Sequence, residues 1–113
     1  MNPSTITVTD LKARLDANQQ LTLIDVREPP EFAAMRVPKA QLFPLSSFSP
    51  EQVVDVLRDE GWQPSEPVYV LCQLGGRAMQ ACQLLQQAGD YLPVLVEGGT
   101  QAWAEAGYPL DAG

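Results

Sequence analysis

Short apolar runs alternate with helical patterns along the chain, and this alternation constrains the fold more than any other feature of the sequence. The clearest runs are too short for helices and rich in Val, Leu and Ile, which is typical of strands buried on both faces. Strands are predicted at residues 4–6, 21–25, 41–43, 68–71 and 92–96. Strands separated by helices favour a three-layer α/β domain with a mainly parallel sheet.

Five helices are predicted between and after these runs from end signals and apolar spacing. Thr7 is the expected N-cap of the first helix, and two prolines occupy the first positions of the second. The third begins at Pro50, and its apolar stripe consists of Val53, Val56 and Leu57. The last two are predicted at about residues 76–88 and 101–106, each followed by a glycine.

Length and charge limit the number of domains and the kinds of partner. With 113 residues, 45% of them hydrophobic, residues 1–113 are predicted to form one domain. No apolar run approaches the roughly 20 residues needed to span a bilayer, and the start does not resemble a signal peptide, so we expect a cytoplasmic protein. The formal net charge of −7 would repel polyanions. Nucleic acid and anionic membranes are therefore not expected partners.

Histidine is absent from the chain, and this excludes several classes of enzyme. Cys-His and Ser-His-Asp hydrolases need an imidazole base. Cys72 and Cys82 are the only soft metal ligands, and two are too few for a zinc site. Two cysteines also do not make a disulfide framework in a chain of this size.

Cys72 directly follows the predicted strand at 68–71, at the end of a strand where ligands gather in open α/β sheets. The connecting segment is Cys72-Gln73-Leu74-Gly75-Gly76-Arg77. Its adjacent glycines permit a tight loop whose N–H groups form an anion-binding nest. The helix that follows adds unpaired N–H groups and the positive end of its dipole. Arg77 supplies a positive charge and a fork of donors at the far end of the loop.

Such a loop is expected to stabilise the thiolate of Cys72, so that attack on a sulfur donor needs no general base. The product would be a persulfide, Cys–S–S⁻, held by the same N–H groups. The alternative is that Cys72 is a small buried apolar residue. The order of strand, cysteine, glycines, arginine and helix favours the functional role. Cys82 shares an apolar helix stripe with Ala78, Ala81 and Leu85, which favours a core residue over a resolving thiol.

Four segments in the correct order resemble the rhodanese family, and together they cover nearly the whole chain. They are residues 25–32 (DVREPPEF), 37–45 (VPKAQLFPL), 72–77 (CQLGGR) and 98–110 (GGTQAWAEAGYPL). The resemblance implies a three-layer rhodanese-like α/β fold with a five-stranded, mainly parallel sheet flanked by helices. It also implies sulfur transfer through a persulfide on Cys72, with no metal and no organic cofactor.

The length and charge of the loop refine what the resemblance implies. Six residues run from Cys72 to Arg77, as in the sulfur-handling members of the family. Related phosphatases and arsenate reductases have a loop one residue longer, whose wider ring accepts a tetrahedral oxyanion, so phosphatase activity is disfavoured. Gln73 and Leu74 bring no positive charge. A doubly negative donor such as thiosulfate is therefore expected to bind less well than at a more basic loop.

The remaining residues of the motifs have structural interpretations beside functional ones. Asp25 and Arg27 could orient the loop, or could form an ion pair that braces the turn. Residues 98–99 are expected to shape a tight turn between strand and helix, with Trp103 packed beneath it in the core. Arg36 could reach the mouth of the pocket, although a solvated surface charge is favoured.

Four functions are consistent with the sequence to different degrees. The leading hypothesis is an enzyme that moves sulfane sulfur from thiosulfate or a small persulfide to a thiol or to cyanide. The second is a persulfide carrier that receives sulfur from, or delivers it to, a partner protein. The third is a non-catalytic rhodanese-like interaction module, against which the presence of Cys72 argues. Phosphatase action is the least favoured.

Overall fold

Five strands lie where the apolar runs predict them, within one residue at each end. The computed structural model describes residues 2–17 and 19–113. Its strands are β1 (Ser4–Ile6), β2 (Thr22–Asp25), β3 (Gln41–Leu42), β4 (Pro67–Leu71) and β5 (Leu92–Val96). They form one sheet in the order β1-β5-β4-β2-β3, and every neighbouring pair is parallel. The predicted α/β class with a five-stranded sheet is confirmed.

The helices also follow the sequence pattern closely. They are α1 (Val8–Asp16), α2 (Pro29–Ala34), α3 (Pro50–Asp59), α4 (Gly76–Ala88) and α5 (Gly99–Glu105), with a short 3-10 helix at Leu45–Ser47. The hydroxyl of Thr7 accepts a hydrogen bond from the backbone N–H of Asp10, as expected of an N-cap. The predicted start of α5 at residue 101 is wrong, because the helix already includes Gly99 and Thr100.

One position of the predicted apolar stripe on α3 is also wrong. Val56 is 41% exposed, whereas Val54 is buried together with Val53 and Leu57. At about 100° per residue, a three-residue step brings Val54 within about 60° of Leu57, while the adjacent Val56 lies about 100° away. The buried face of α3 is therefore rotated by about 50° from the predicted one, towards Val54.

Two hydrophobic cores pack on opposite faces of the sheet, which makes the domain three-layered. Alternate side chains of β4 separate them, because successive strand residues point to opposite faces. Val68 and Val70 join the core beneath α3 and α4, and Tyr69 and Leu71 join the core beneath α1 and α5. Trp103 lies in the second core, as predicted, and its indole N–H donates to the carbonyl of Pro109 at 2.7 Å.

Parallel pairing brings the carboxyl ends of the strands to one edge of the sheet. In the register between β2 and β4, Asp25 lies beside Leu71, and the N–H of Val26 donates to the carbonyl of Leu71 at 2.9 Å. The two segments that follow these strands therefore leave the sheet side by side. The first contains Arg27 and leads into α2, and the second contains Cys72.

Candidate active site

Cys72 is enclosed at the end of β4, and a tight loop connects it to α4. Its exposed fraction is 1%, and it packs with the core beneath α3 and α4. The loop turns into α4 at Gly75, whose φ of +147° lies in a region that residues with a side chain rarely adopt. Helix α4 begins at Gly76, so Arg77 is on its first turn. The order of strand, cysteine, glycines and helix predicted from the sequence is present.

The start of α5 fastens this loop from the other side of the sheet. The N–H of Thr100 donates to the carbonyl of Cys72 at 2.8 Å, and the N–H of Gln101 donates to the carbonyl of Gln73 at 3.1 Å. A Cβ on Gly99 would overlap the carbonyl of Cys72 and lie 2.8 Å from that of Gln73. Gly99 is thus required for the close approach of α5 to the loop, and not only for the turn predicted from the sequence.

These two hydrogen bonds orient the peptide groups of the loop. No peptide bond is cis among the described residues, so each N–H points opposite to the carbonyl of the same peptide group. Because the carbonyls of Cys72 and Gln73 point towards α5, the N–H groups of Gln73 and Leu74 point away from it. Neither N–H donates to a carbonyl within residues 2–17 and 19–113. They are therefore available to an anion at the loop.

Asp25 and Arg27 form a completely buried ion pair beside the loop. Arg27 Nε and Nη2 donate to the two carboxylate oxygens of Asp25 at 3.0 and 2.9 Å, and both residues are at most 1% exposed. Arg27 also donates to the carbonyl of Met35 at 2.7 Å and to the side-chain oxygen of Gln73 at 3.3 Å. The ion pair that the sequence analysis considered is therefore present, and through Gln73 it also contacts the Cys72 loop.

A second ion pair at the loop involves a residue to which the sequence pattern assigned no role. Arg77 Nη1 and Nη2 donate to Glu31 Oε1 and Oε2 at 2.6 and 2.9 Å. The hydrogen bonds from Arg77 lower the pKa of Glu31 to about 2, against the opposing effect of burial. The same contact raises the pKa of Arg77. Glu31 lies within the DVREPPEF segment, but no local sequence signal links it to Arg77, because the contact depends on β2 lying beside β4 in the sheet.

Gln73 and Leu74 occupy opposite environments within the loop. The side chain of Gln73 accepts the hydrogen bond from Arg27 and is half-buried. Leu74 is 62% exposed, the highest value among the large exposed hydrophobic residues identified within the described chain. An apolar side chain is therefore presented to solvent two residues from Cys72.

Cys82 lies six residues after the start of α4 and has no access to solvent. Burial raises the pKa of its thiol to about 12, and the nearby charge of Cys72 acts in the same direction. A thiol with such a pKa is protonated at neutral pH and is a poor nucleophile. This agrees with the core role favoured by the sequence.

Arg36 does not approach the loop. Its guanidinium donates to the carbonyls of Phe32 and Gly113 at 3.2 and 3.0 Å and stacks over the Phe32 ring. Its backbone pairs with Asp111 in an antiparallel bridge. Arg36 therefore attaches residues 111–113 to the end of α2. The sequence analysis considered only a side chain at the mouth of the pocket or a solvated surface charge, and did not anticipate this contact.

Residues 2–17 and 19–113 contain no group of three or more His, Cys, Asp or Glu side chains placed to hold a metal ion. No helix in this part of the chain is both long and apolar enough to cross a membrane.

Comparison with known proteins gives consistent results. The family model for the rhodanese-like domain matches residues 7–106. A protein named sulfurtransferase from Allochromatium vinosum is 31% identical over 102 residues, which cover 90% of this chain and 89% of that protein. The probable adenylyltransferase/sulfurtransferase MoeZ of Mycobacterium tuberculosis is 35% identical over 94% of this chain, but this chain spans only 26% of its length. The crystal structure of a rhodanese-related protein from Thermoplasma volcanium has a TM-score of 0.74 and 29% identity, covering 96% of this chain and 97% of that one.

Proposed function

The chain belongs to the rhodanese-like family, and from this premise we propose that it is a sulfurtransferase in which Cys72 carries sulfane sulfur as a persulfide. The donor is thiosulfate or a small persulfide, and the acceptor is a thiol or cyanide. We place this activity in the single domain predicted over residues 1–113, in the cytoplasm, with no metal or organic cofactor. The observation that carries the proposal is the enclosed Cys72 at the head of a six-residue loop closed by Arg77.

In the first step the Cys72 thiolate attacks the outer sulfur of the donor. A bond forms between Cys72 Sγ and this sulfur, and the bond between the two donor sulfurs breaks. The leaving group, sulfite or a thiolate, takes the electron pair of that bond. The total charge is unchanged, and no external oxidant or reductant is needed.

In the second step an acceptor thiolate or cyanide attacks the terminal sulfur of the persulfide. The bond from Cys72 Sγ to that sulfur breaks, and its electron pair returns to Cys72 as the thiolate. Between the two steps the terminal sulfur bears the negative charge. The unpaired N–H groups of Gln73 and Leu74, the start of α4 and the cation of Arg77 are the groups that would stabilise it.

The test compares the two cysteines of the chain. The protein is incubated with thiosulfate or with 2-hydroxyethyl hydropersulfide, and its intact mass is measured before and after cyanide is added. We expect a gain of one sulfur atom that is lost to cyanide as thiocyanate. The gain should disappear in Cys72→Ser and persist in Cys82→Ser. Absence of the adduct with both donors, or its persistence in Cys72→Ser, would contradict the proposal.

A second candidate function is sulfur transfer with a protein partner, and the exposed Leu74 favours it. Contact with another protein surface would bury this side chain, which is 62% exposed two residues from Cys72, whereas a small polar donor would leave it in water. The relative MoeZ is a much longer protein, in which the segment matching this chain takes up 26% of the length. Such a length is consistent with sulfur exchange between a domain of this kind and a second domain.

This candidate is tested by changing Leu74 to serine and following sulfur transfer from a cysteine desulfurase that bears a persulfide. The matched control is Leu92→Ser, an exposed leucine at the start of β5, where the amino ends of the strands lie opposite the Cys72 loop. Leu74→Ser should slow transfer from the protein donor by about tenfold, as expected for loss of a contact residue. A similar loss with a small hydropersulfide donor would instead indicate damage to the loop.

A further inference from the structure

Both arginines at the Cys72 loop are neutralised by a carboxylate. Arg27 is paired with Asp25, and Arg77 is paired with Glu31. Two positive and two negative charges leave these four side chains with no net charge. Arg77 is close enough to Cys72 for the thiolate to contribute to the raised pKa of Arg77. The cation that would attract an anionic donor is therefore already occupied.

The carboxylate of Glu31 is fixed in this position by its own helix. Oε1 also accepts the backbone N–H of Glu28 at 3.0 Å, which is one half of a capping box at the start of α2. Pro29 and Pro30 restrain the backbone of the same turn. Oε1 thus serves both Arg77 and the cap of α2, which restricts its movement away from Arg77. Because the pKa of Glu31 is about 2, it bears a full negative charge at neutral pH.

We propose that Glu31 is a specificity-determining residue that disfavours doubly charged donors such as thiosulfate and selects hydropersulfides bearing at most one negative charge. The inference rests on the proposed persulfide chemistry of Cys72. A dianion that approaches the loop meets the Cys72 thiolate and the Glu31 carboxylate with only the shared cation of Arg77 to offset them. Coulomb repulsion scales with the product of the charges, so a donor with half the charge is disfavoured about half as much.

The reaction with the selected donor balances without a co-reactant. The Cys72 thiolate attacks the terminal sulfur of R–S–SH, forming Cys72–S–SH and releasing R–S⁻. The sulfur–sulfur bond of the donor breaks, and its electron pair leaves with R–S⁻. The new persulfide then loses its proton to solvent.

The inference is tested by the ratio of two rate constants measured on the same protein. Formation of the Cys72 persulfide is followed by mass spectrometry with thiosulfate and, separately, with 2-hydroxyethyl hydropersulfide. In Glu31→Gln we expect the thiosulfate-to-hydropersulfide ratio to rise about tenfold, the lower end of the range by which local charges change association rates. Glutamine keeps the shape of the side chain and can still accept one bond from Arg77. The rise should shrink at high ionic strength, because half-exposed charges are screened.

The matched control is Asp90→Asn, which removes one negative charge beyond the far end of α4. Asp90 is exposed, and 13 helical residues separate it from the loop, a length of roughly 20 Å. The thiosulfate-to-hydropersulfide ratio of Asp90→Asn should stay within about twofold of that of the unmodified protein. An equal fall of both rates in Glu31→Gln would identify Glu31 as a residue that merely positions the loop, and an unchanged ratio would also overturn the inference. Failure of the proposed function has a different signature, namely no persulfide from either donor in the unmodified protein.

Discussion

Two arginine–carboxylate pairs lie beside the same loop, and they differ in burial. The Asp25–Arg27 pair is at most 1% exposed, whereas the side chains of Glu31 and Arg77 are 35% and 33% exposed. Both pairs have two-pronged geometry with distances between 2.6 and 3.1 Å. The two pairs therefore differ in their exposure to solvent and not in the geometry of the ion-pair contact. The same type of ion pair can therefore stabilise the fold when it is buried and influence ligand binding when it is partly exposed.

Burial matters because it sets the free-energy cost of removing one partner of an ion pair. A buried charge whose partner is removed cannot be solvated, so breaking a buried pair is strongly destabilising. A half-exposed charge regains water when its partner is removed, and exposed pairs contribute little to stability. We call Asp25–Arg27 the inner pair and Glu31–Arg77 the outer pair. We expect the inner pair to determine whether the loop is formed, and the outer pair to determine which charges the donor of sulfur can carry.

The largest effect is expected from breaking the inner pair. Asp25→Ala leaves Arg27 charged and unpaired in the interior, which should reduce the free energy of unfolding by about 3–5 kcal/mol. Urea denaturation measures the change. Glu31→Gln, the outer-pair counterpart, should lose far less under the same conditions. Equal losses in the two variants would remove the distinction between the pairs.

Replacing both inner residues by apolar ones sharpens the same comparison. In Asp25→Leu with Arg27→Met, no buried charge remains, so the loss of unfolding free energy should be smaller than the sum of the two single losses by about 2 kcal/mol. A double-mutant cycle in urea gives this coupling. Persulfide formation should nevertheless be impaired, because a methionine side chain cannot donate to Gln73 and the carbonyl of Met35 as Arg27 does. Strict additivity of the two losses would contradict the interpretation.

Breaking the outer pair should affect reactivity more than stability. Arg77→Gln is expected to lower the free energy of unfolding by about 1 kcal/mol or less. It leaves the charge of Glu31 uncompensated at the loop, so persulfide formation from thiosulfate should slow about tenfold, as for charges that steer association. Denaturation and mass-spectrometric rates on one preparation test both parts. A fall of several kcal/mol in the free energy of unfolding would instead show that Arg77 supports the fold as the inner pair does.

The smallest effect is a dependence of stability on pH that the outer pair causes. The pKa of Glu31 is lowered from 4.5 to about 2 in the folded protein, so between these values the unfolded chain binds more protons. The stability that Glu31 contributes is present above pH 4.5 and is lost as the pH falls towards 2. The difference in unfolding free energy between the unmodified protein and Glu31→Gln should shrink over this window. A difference independent of pH would show that charge is not involved.

The elements of the fold were predictable because their signals are local. Apolar runs and end signals placed all five strands and four of the five helix starts, since each pattern is read within a few residues. The errors on α3 and α5 arose where the tertiary environment selects among local alternatives. Val54 and not Val56 faces the core, and α5 extends back to the glycine that meets the Cys72 loop.

One backbone conformation could not be predicted from the sequence. Lys39 has a φ of +73°, in the left-handed region that glycine favours. Among the described residues it is the one non-glycine residue with positive φ. A lysine at this turn therefore carries local strain that a glycine would avoid.

The sequence by itself determined the parallel α/β fold, Cys72 at the end of β4, and the loop that ends at Arg77. Only the tertiary structure decided how Arg77 is used. Its partner Glu31 is 46 residues away in the chain, and the two meet because β2 lies beside β4 in the sheet. The N–H groups of Thr100 and Gln101 reach the loop because β5 lies on the other side of β4. Local patterns encode elements, whereas the order of strands depends on how the whole chain buries its apolar surface.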